Sequence, residues 1–119
     1  MKRVLFVDDD EAILELYRQV FQRAGYQVST CTTMEAARRH LEQTGADAVV
    51  LDIRLAEGLG LALLRELKAR DPKLPVILAT AYARYQDDFS SWLADEYVVK
   101  SADLAELKRA LHRCLGEAP

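Results

Sequence analysis

The chain has 119 residues, of which half are hydrophobic and 29% charged, with a formal net charge of −3. That is the size of one ordinary domain with enough apolar material for a single packed core, which excludes a disordered chain. The acidic balance excludes a sequence-independent grip on nucleic acid, and no apolar run approaches the roughly 20 residues of a membrane span.

In chain order, Val4-Leu5-Phe6-Val7 is a continuous apolar run, the pattern of a strand buried on both faces. Asp8 cuts it off far too early for a signal peptide. Glu11–Ala24 carries Ile13, Tyr17, Val20, Phe21 and Ala24 at helical spacing, and Gly25 is a good stop. Tyr26–Cys31 forms a second strand. Thr32-Thr33-Met34-Glu35 fits a capping box opening a helix that runs to about Thr44. Ala48–Leu51 is a third strand, ended by Asp52. Leu61, Leu64 and Leu67 mark a third helix, which Asp71-Pro72 closes. Val76–Ala79 is the fourth strand, Asp87–Leu93 a weak helical stretch, and Tyr97-Val98-Val99 the fifth strand. Asp103-Leu104-Ala105-Glu106 reads as a second capping box, opening a helix through Leu107, Leu111 and Leu115.

Strands alternating with helices predict an α/β fold, a doubly wound five-stranded parallel sheet with helices on both faces, because right-handed crossovers place them there. Ligand sites in such sheets lie at the carboxyl ends of the strands. The residues there are Asp8-Asp9-Asp10 after the first strand, Asp52 after the third, Thr80-Ala81 after the fourth and Lys100 after the fifth. Crowded carboxylates repel unless a cation sits among them, and oxygen-only ligands without His or Cys suit a hard ion such as Mg²⁺. A lysine and a hydroxyl supply what phosphoryl oxygens need. The pattern reads as a Mg²⁺-assisted phosphoryl site with a carboxylate nucleophile.

Taken singly, each residue has a plainer reading. Asp8–Glu11 is an acidic helix start, Asp52 a turn residue, Thr80 a strand end and Lys100 a surface charge. Only their convergence on one rim gives them chemistry. His40 and His112 read as structural, Trp92 as local packing, and Tyr97 as either a core aromatic or a moving one. Cys31 and Cys114 have neither CxxC nor zinc-like spacing, so they read as core fillers of a reduced, cytoplasmic protein.

These motifs, from Val4-Leu5-Phe6-Val7-Asp8-Asp9-Asp10 through Asp52-Ile53-Arg54-Leu55 and Ala79-Thr80-Ala81 to Tyr97-Val98-Val99-Lys100, resemble the receiver domain of two-component response regulators. The resemblance covers the whole chain, so residues 1–119 read as one receiver domain with no output domain, in the flavodoxin-like strand order 2-1-3-4-5. It implies that Asp52 accepts a phosphoryl group from a phosphohistidine of a partner histidine kinase or phosphotransfer protein. Asp8, Asp9, Asp52 and the backbone carbonyl of Arg54 would hold Mg²⁺ or Mn²⁺. Thr80 and Lys100 would contact the phosphoryl oxygens, with the Ala81 amide as a further donor, and Thr80 and Tyr97 would form the switch. Arg54 and Tyr82, two residues after Asp52 and Thr80, would screen the phosphoryl group and give slow autodephosphorylation. The output surface would be helix four, strand five and helix five, from about Asp87 to Leu115, read by an effector or a missing output domain and open to homodimer formation. Such a chain is a signalling domain rather than an enzyme.

It departs from the family pattern at four places. Ser101 stands where Pro usually follows the lysine, which predicts a trans Lys100–Ser101 peptide, since a non-prolyl cis bond costs about 3 kcal/mol. Ala56 and Leu59 alter the loop after Asp52 and leave Gly58 and Gly60 to supply its unusual torsions. The segment between Thr80 and Lys100 is short, which predicts a reduced fourth helix. Two other readings compete: a phosphate-independent binding module built on a degenerate receiver, and a small aspartate-nucleophile phosphatase. The second lacks a cap segment and leaves Asp52 without a role.

Overall fold

The three inner strands of the main sheet are largely apolar on both sides, because each side faces a layer of helices, whereas the two edge strands are mixed. In the computed structural model, which describes residues 1–55, 58–81, 93–101 and 104–116, β1 (Arg3–Val7) lies between β2 (Gln27–Cys31) and β3 (Ala48–Leu51). β6 (Val76–Thr80) pairs with β3, and β7 (Glu96–Val99) with β6, all in parallel. The order β2-β1-β3-β6-β7 is 2-1-3-4-5 when only this sheet is counted.

Successive residues of a strand point to opposite faces, so the apolar runs feed two cores. Val4, Phe6, Val50, Ile77 and Ala79 pack with α1 (Glu11–Arg23) and α4 (Ala105–Leu115) through Leu14, Tyr17, Phe21, Leu107 and Leu111. Leu5, Val7, Val49, Leu51 and Leu78 pack on the other side with α2 (Met34–Gln43) and α3 (Leu61–Arg70) through Ala37, Leu61, Leu64 and Leu67. Cys31 and Cys114 are half-buried against these cores. Burial raises the Cys31 thiol and pushes that of Cys114 up to about 11, as suits inert fillers.

Several local expectations need correction. The first capping box does not form as read. The cap of α2 is Thr33, whose hydroxyl accepts from Ala36 N–H at 3.0 Å. Glu35 instead pairs with Arg39 on the helix surface. The last helix starts from Leu104 without a side-chain cap bond, and Asp103 lies outside the described residues. On α1 the buried stripe includes Leu14, which the spacing argument passed over, whereas Ala24 is the exposed C-cap.

The loop after Asp52 contains an unpredicted antiparallel ribbon, β4 (Arg54–Leu55) with β5 (Gly58–Leu59). Gly58 does adopt a positive φ of 135°, but Gly60 does not: its φ is −65°. Gly60 is required by space, since a Cβ there would land on the Asp52 carbonyl oxygen. Gly60→Ala is therefore expected to cost about 1–3 kcal/mol. A denaturation midpoint equal to that of wild type would show that the loop can move aside. The expected helix at Asp87–Leu93 and residues Trp92, Tyr82 and Ala56 lie largely or wholly outside the described residues. Among the described residues no peptide bond is cis, so Lys100–Ser101 is trans.

Candidate functional site

The sheet's own hydrogen-bond ladder carries Asp8, Asp52 and Lys100 just past its edge. Asp8 N–H donates to the Cys31 carbonyl (3.1 Å), Asp52 N–H to that of Val7 (2.9 Å), and Lys100 N–H to that of Thr80 (2.6 Å). Each side chain is thereby fixed one step beyond the last pair of its strand.

The three adjacent acids after β1 have three different environments. Asp10 caps α1, accepting from the Ala12 and Ile13 amides at 3.0 and 3.3 Å. Asp9 is exposed. Asp8 is only 2% exposed, with Oδ1 accepting from Asp10 N–H at 2.9 Å and Oδ2 from the Lys100 ammonium at 2.6 Å. Lys100 Nζ also reaches Asp52 Oδ2 at 3.3 Å, and Asp52 Oδ1 takes a long bond from Arg54 N–H, also 3.3 Å. One oxygen from each of Asp8, Asp9 and Asp52 lies within 4.8 Å of the others. The cleft over them is also lined by Ile13, Arg54 and Ala81.

Burial pushes the Asp52 carboxyl up, and Asp8 adds to that; Lys100 and the Arg54 amide oppose it. Burial acts against the charge of Lys100, but its hydrogen bond to Asp8 and the charges of Asp52 and Asp8 outweigh burial and hold the ammonium above its usual range. Asp8, Asp9 and Asp52 against Lys100 leave two formal negative charges, and the other charged residues lining the cleft, Asp10 and Arg54, offset one another. A divalent cation matches that imbalance, and the all-oxygen donor set matches a hard one.

The sequence-predicted set therefore divides. Asp8, Asp9, Asp52 and Lys100 come together. The Arg54 backbone adjoins them, and Ala81 lines the same cleft. Thr80 is fully buried as the last residue of β6. Tyr97 is half-buried on β7, in register with Leu78 and packed against the α2–α3 core. Sequence reading placed Tyr17 only in a helical stripe, yet its phenol feels the charges of Lys100, Asp8 and Asp52. Its position four residues after Ile13 on the face toward β1 was the available signal.

A doubly wound parallel sheet whose carboxyl rim gathers a buried carboxylate, further acids and a lysine defines a class of α/β domains that carry their site at that rim. The family model of the response regulator receiver domain matches residues 4–112, and the chain belongs to that family. It is similar to response regulator protein TrrA from Thermotoga maritima, solved in complex with Mg(2+)-BeF, at 40% identity and a TM-score of 0.93, covering 97% of this chain and 100% of that one. A structure of histidine kinase ThkA in complex with TrrA matches at 40% identity and a TM-score of 0.91, covering 97% and 99%. Among curated proteins, regulatory protein AtoC of Escherichia coli K12 is 30% identical over 117 residues, 97% of this chain and 25% of that protein. Transcriptional regulatory protein PrrA of Mycobacterium leprae is 36% identical over 107 residues, 88% of this chain and 46% of that protein. The chain thus spans less than half the length of these curated relatives.

Proposed function

We propose that this receiver takes a phosphoryl group on Asp52 from a phosphohistidine of a partner histidine kinase or phosphotransfer protein. An Asp52 carboxylate oxygen attacks phosphorus, the bond from phosphorus to the histidine nitrogen breaks, and the leaving imidazole takes a proton from solvent. The product is a mixed anhydride on Asp52. The observation that carries this reading is the Lys100 ammonium, 2.6 Å from Asp8 and 3.3 Å from Asp52 on a rim of three carboxylates.

The residues fit Mg²⁺, or Mn²⁺, held by Asp8, Asp9, Asp52 and the Arg54 carbonyl; when bound, it supplies charge neutralisation between the nucleophile and the incoming phosphoryl group. Lys100 and the Thr80 hydroxyl hold the phosphoryl oxygens, with the Ala81 amide as a further donor. Drawing Thr80 toward the new group frees space for Tyr97, and these two form the switch. The added charge is read on the surface from about residue 87 to 115, by an effector, an attached output domain or a second copy of the chain. Arg54 and Tyr82 screen the anhydride from water and slow its hydrolysis. The domain acts in the cytoplasm as a signal carrier, catalysing at most its own phosphorylation and dephosphorylation. The ThkA–TrrA complex supports a kinase as the donor.

Intact mass after incubation with acetyl phosphate tests the reading. One phosphoryl mass is expected with Mg²⁺ and none with a chelator. A gain indifferent to Mg²⁺ removes the metal from the reaction. No gain from acetyl phosphate or from a phosphorylated kinase, with the protein folded, overturns phosphoacceptance and turns attention to phosphate-independent binding.

A further inference from the structure

Gly60 is buried at the start of α3, where the chain leaves the β4–β5 ribbon. Its N–H donates to the Ile53 carbonyl at 2.5 Å, and its own carbonyl accepts the Leu64 N–H at 2.9 Å. Its bare Cα faces the Asp52 carbonyl oxygen. A methyl group there would overlap that oxygen and stand 3.3 Å from Leu51 Cδ1. The first turn of α3 therefore leans directly on the peptide that follows Asp52.

Both sides of that contact are held by close-packed neighbours, which resist even a small displacement. Asp52 is anchored through its N–H to the Val7 carbonyl at 2.9 Å, and Leu51 and Ile53 on either side of it are fully buried. Leu61, Leu63 and Leu64 seat α3 in the same core. An added methyl group would instead turn the Asp52–Ile53 peptide, and the rim would turn with it. Arg54 N–H reaches Asp52 Oδ1 at 3.3 Å, and Lys100 Nζ reaches Oδ2 at the same distance. Rotation at residues 52 and 53 swings the carboxylate off these donors and redirects the Arg54 carbonyl.

We propose that Gly60 is a positioning residue for Asp52. Its missing side chain lets α3 brace the backbone behind the carboxylate, which sets the aim of that carboxylate and of the Arg54 carbonyl into the cleft. Gly60 acts through Asp52 and touches no reacting atom. The role rests on the reading of Asp52 as phosphoacceptor and Mg²⁺ ligand.

Gly60→Ala is tested beside Gly25→Ala, whose new methyl group meets no atom within 4 Å but must hold a φ of +99°. Alanine resists that torsion, so both variants should melt below wild type. Only Gly60→Ala should bind Mg²⁺ more weakly by calorimetry, by about 10-fold, the scale of losing a group that orients a metal ligand. Its phosphoryl gain from acetyl phosphate at saturating Mg²⁺ should slow by about 10- to 100-fold, as a misplaced reacting group does. By ¹H–¹⁵N NMR of the metal-free protein, the Arg54 amide signal should shift in Gly60→Ala and hold in Gly25→Ala. A Gly60→Ala that matches Gly25→Ala in Mg²⁺ affinity or in rate overturns the positioning role and leaves the glycine a matter of stability alone. Should Gly60→Ala not fold, Leu61→Ala and Leu67→Ala decide, since both cut a buried leucine of α3 from the same core. Weaker Mg²⁺ binding in Leu61→Ala alone supports the brace, and equal binding in the two overturns it. If wild type binds no Mg²⁺ and gains no phosphoryl mass, the Asp52 reading fails by itself, while the Arg54 amide signal still decides the brace.

Discussion

Asp52→Asn is expected to take no phosphoryl group from acetyl phosphate in Mg²⁺ and, in chelator at neutral pH, to melt at a higher temperature than wild type. The loss follows from chemistry, because an amide oxygen has no ionised form with which to attack phosphorus. The gain follows from burial. Desolvation raises the Asp52 carboxyl, Asp8 raises it further, and Lys100 recovers only part of the penalty. A carboxyl whose folded pKa lies above its unfolded value, about 3.9, contributes stability that is fully present below that value. The contribution is lost as pH rises through the folded pKa. Wild type and Asp52→Asn should therefore converge at low pH and separate toward neutrality, with the variant the more stable. Mg²⁺ should narrow the gap by binding wild type the more tightly. Melts at pH 4 and pH 7, each with chelator and with Mg²⁺, measure all of this. A variant less stable than wild type at pH 7 in chelator would mean that the Lys100 pairing outweighs burial. A phosphoryl gain in the variant would move the nucleophile to another acid.

The rim residues were legible because they interrupt apolar runs at the one edge where open parallel sheets bind ligands. Val7 to Asp8, Leu51 to Asp52 and Val99 to Lys100 are abrupt changes from core to charge. The topology that brings them together needs only the strand order and the crossover rule. Less legible was the division of labour within Asp8-Asp9-Asp10. Three identical residues end as a buried ion-pair member, an exposed acid and a helix cap. Their fates depend on how tightly the chain turns from β1 into α1, and composition carries no trace of that.

Helix starts slipped for a similar reason. Thr32 and Thr33 are equally good caps by type, and the ladder that carries β2 through Cys31 chooses the second. The β4–β5 ribbon has two residues in each strand, too few to show an alternation. Gly60 was rightly singled out for the wrong property, because its constraint is a neighbour brought in by tertiary folding and not a torsion of its own. Tyr17 looked like any apolar stripe residue, since the Lys100 charge that acts on its phenol arrives from the far end of the chain.

Removing the Lys100 ammonium from the rim should have the largest effect on stability. Lys100→Ala is expected to destabilise the metal-free protein by about 3 kcal/mol, because taking away one partner of a buried ion pair strands the others. Asp8 is almost wholly buried, and its Oδ2 would lose its 2.6 Å ammonium contact. Asp52 would lose the nearby charge that offsets part of its burial. The pH dependence has the same sign as that of Asp52 but falls in a far more alkaline range. The folded ammonium is held above its unfolded value of about 10.4, so its stabilisation is complete below that pH and fades as pH rises through the folded pKa. Wild type and Lys100→Ala should accordingly differ most across the neutral range and approach one another in strong alkali, where the ammonium is lost, and in acid, where Asp52 is protonated. Divalent cations should act in reverse: with Lys100 gone, three carboxylates face Mg²⁺ without a competing ammonium, so Mg²⁺ should raise the melting temperature of Lys100→Ala by more than that of wild type. Phosphoryl gain from acetyl phosphate should nevertheless fall by about 100-fold, the scale set by removing one preorganised donor from a developing charge. Urea melts with and without Mg²⁺, run beside the mass assay, separate these effects. Metal-free stability equal to wild type would show that Asp8 and Asp52 reach water without Lys100. A Mg²⁺ shift no larger than that of wild type would remove the charge argument for a cation at this rim.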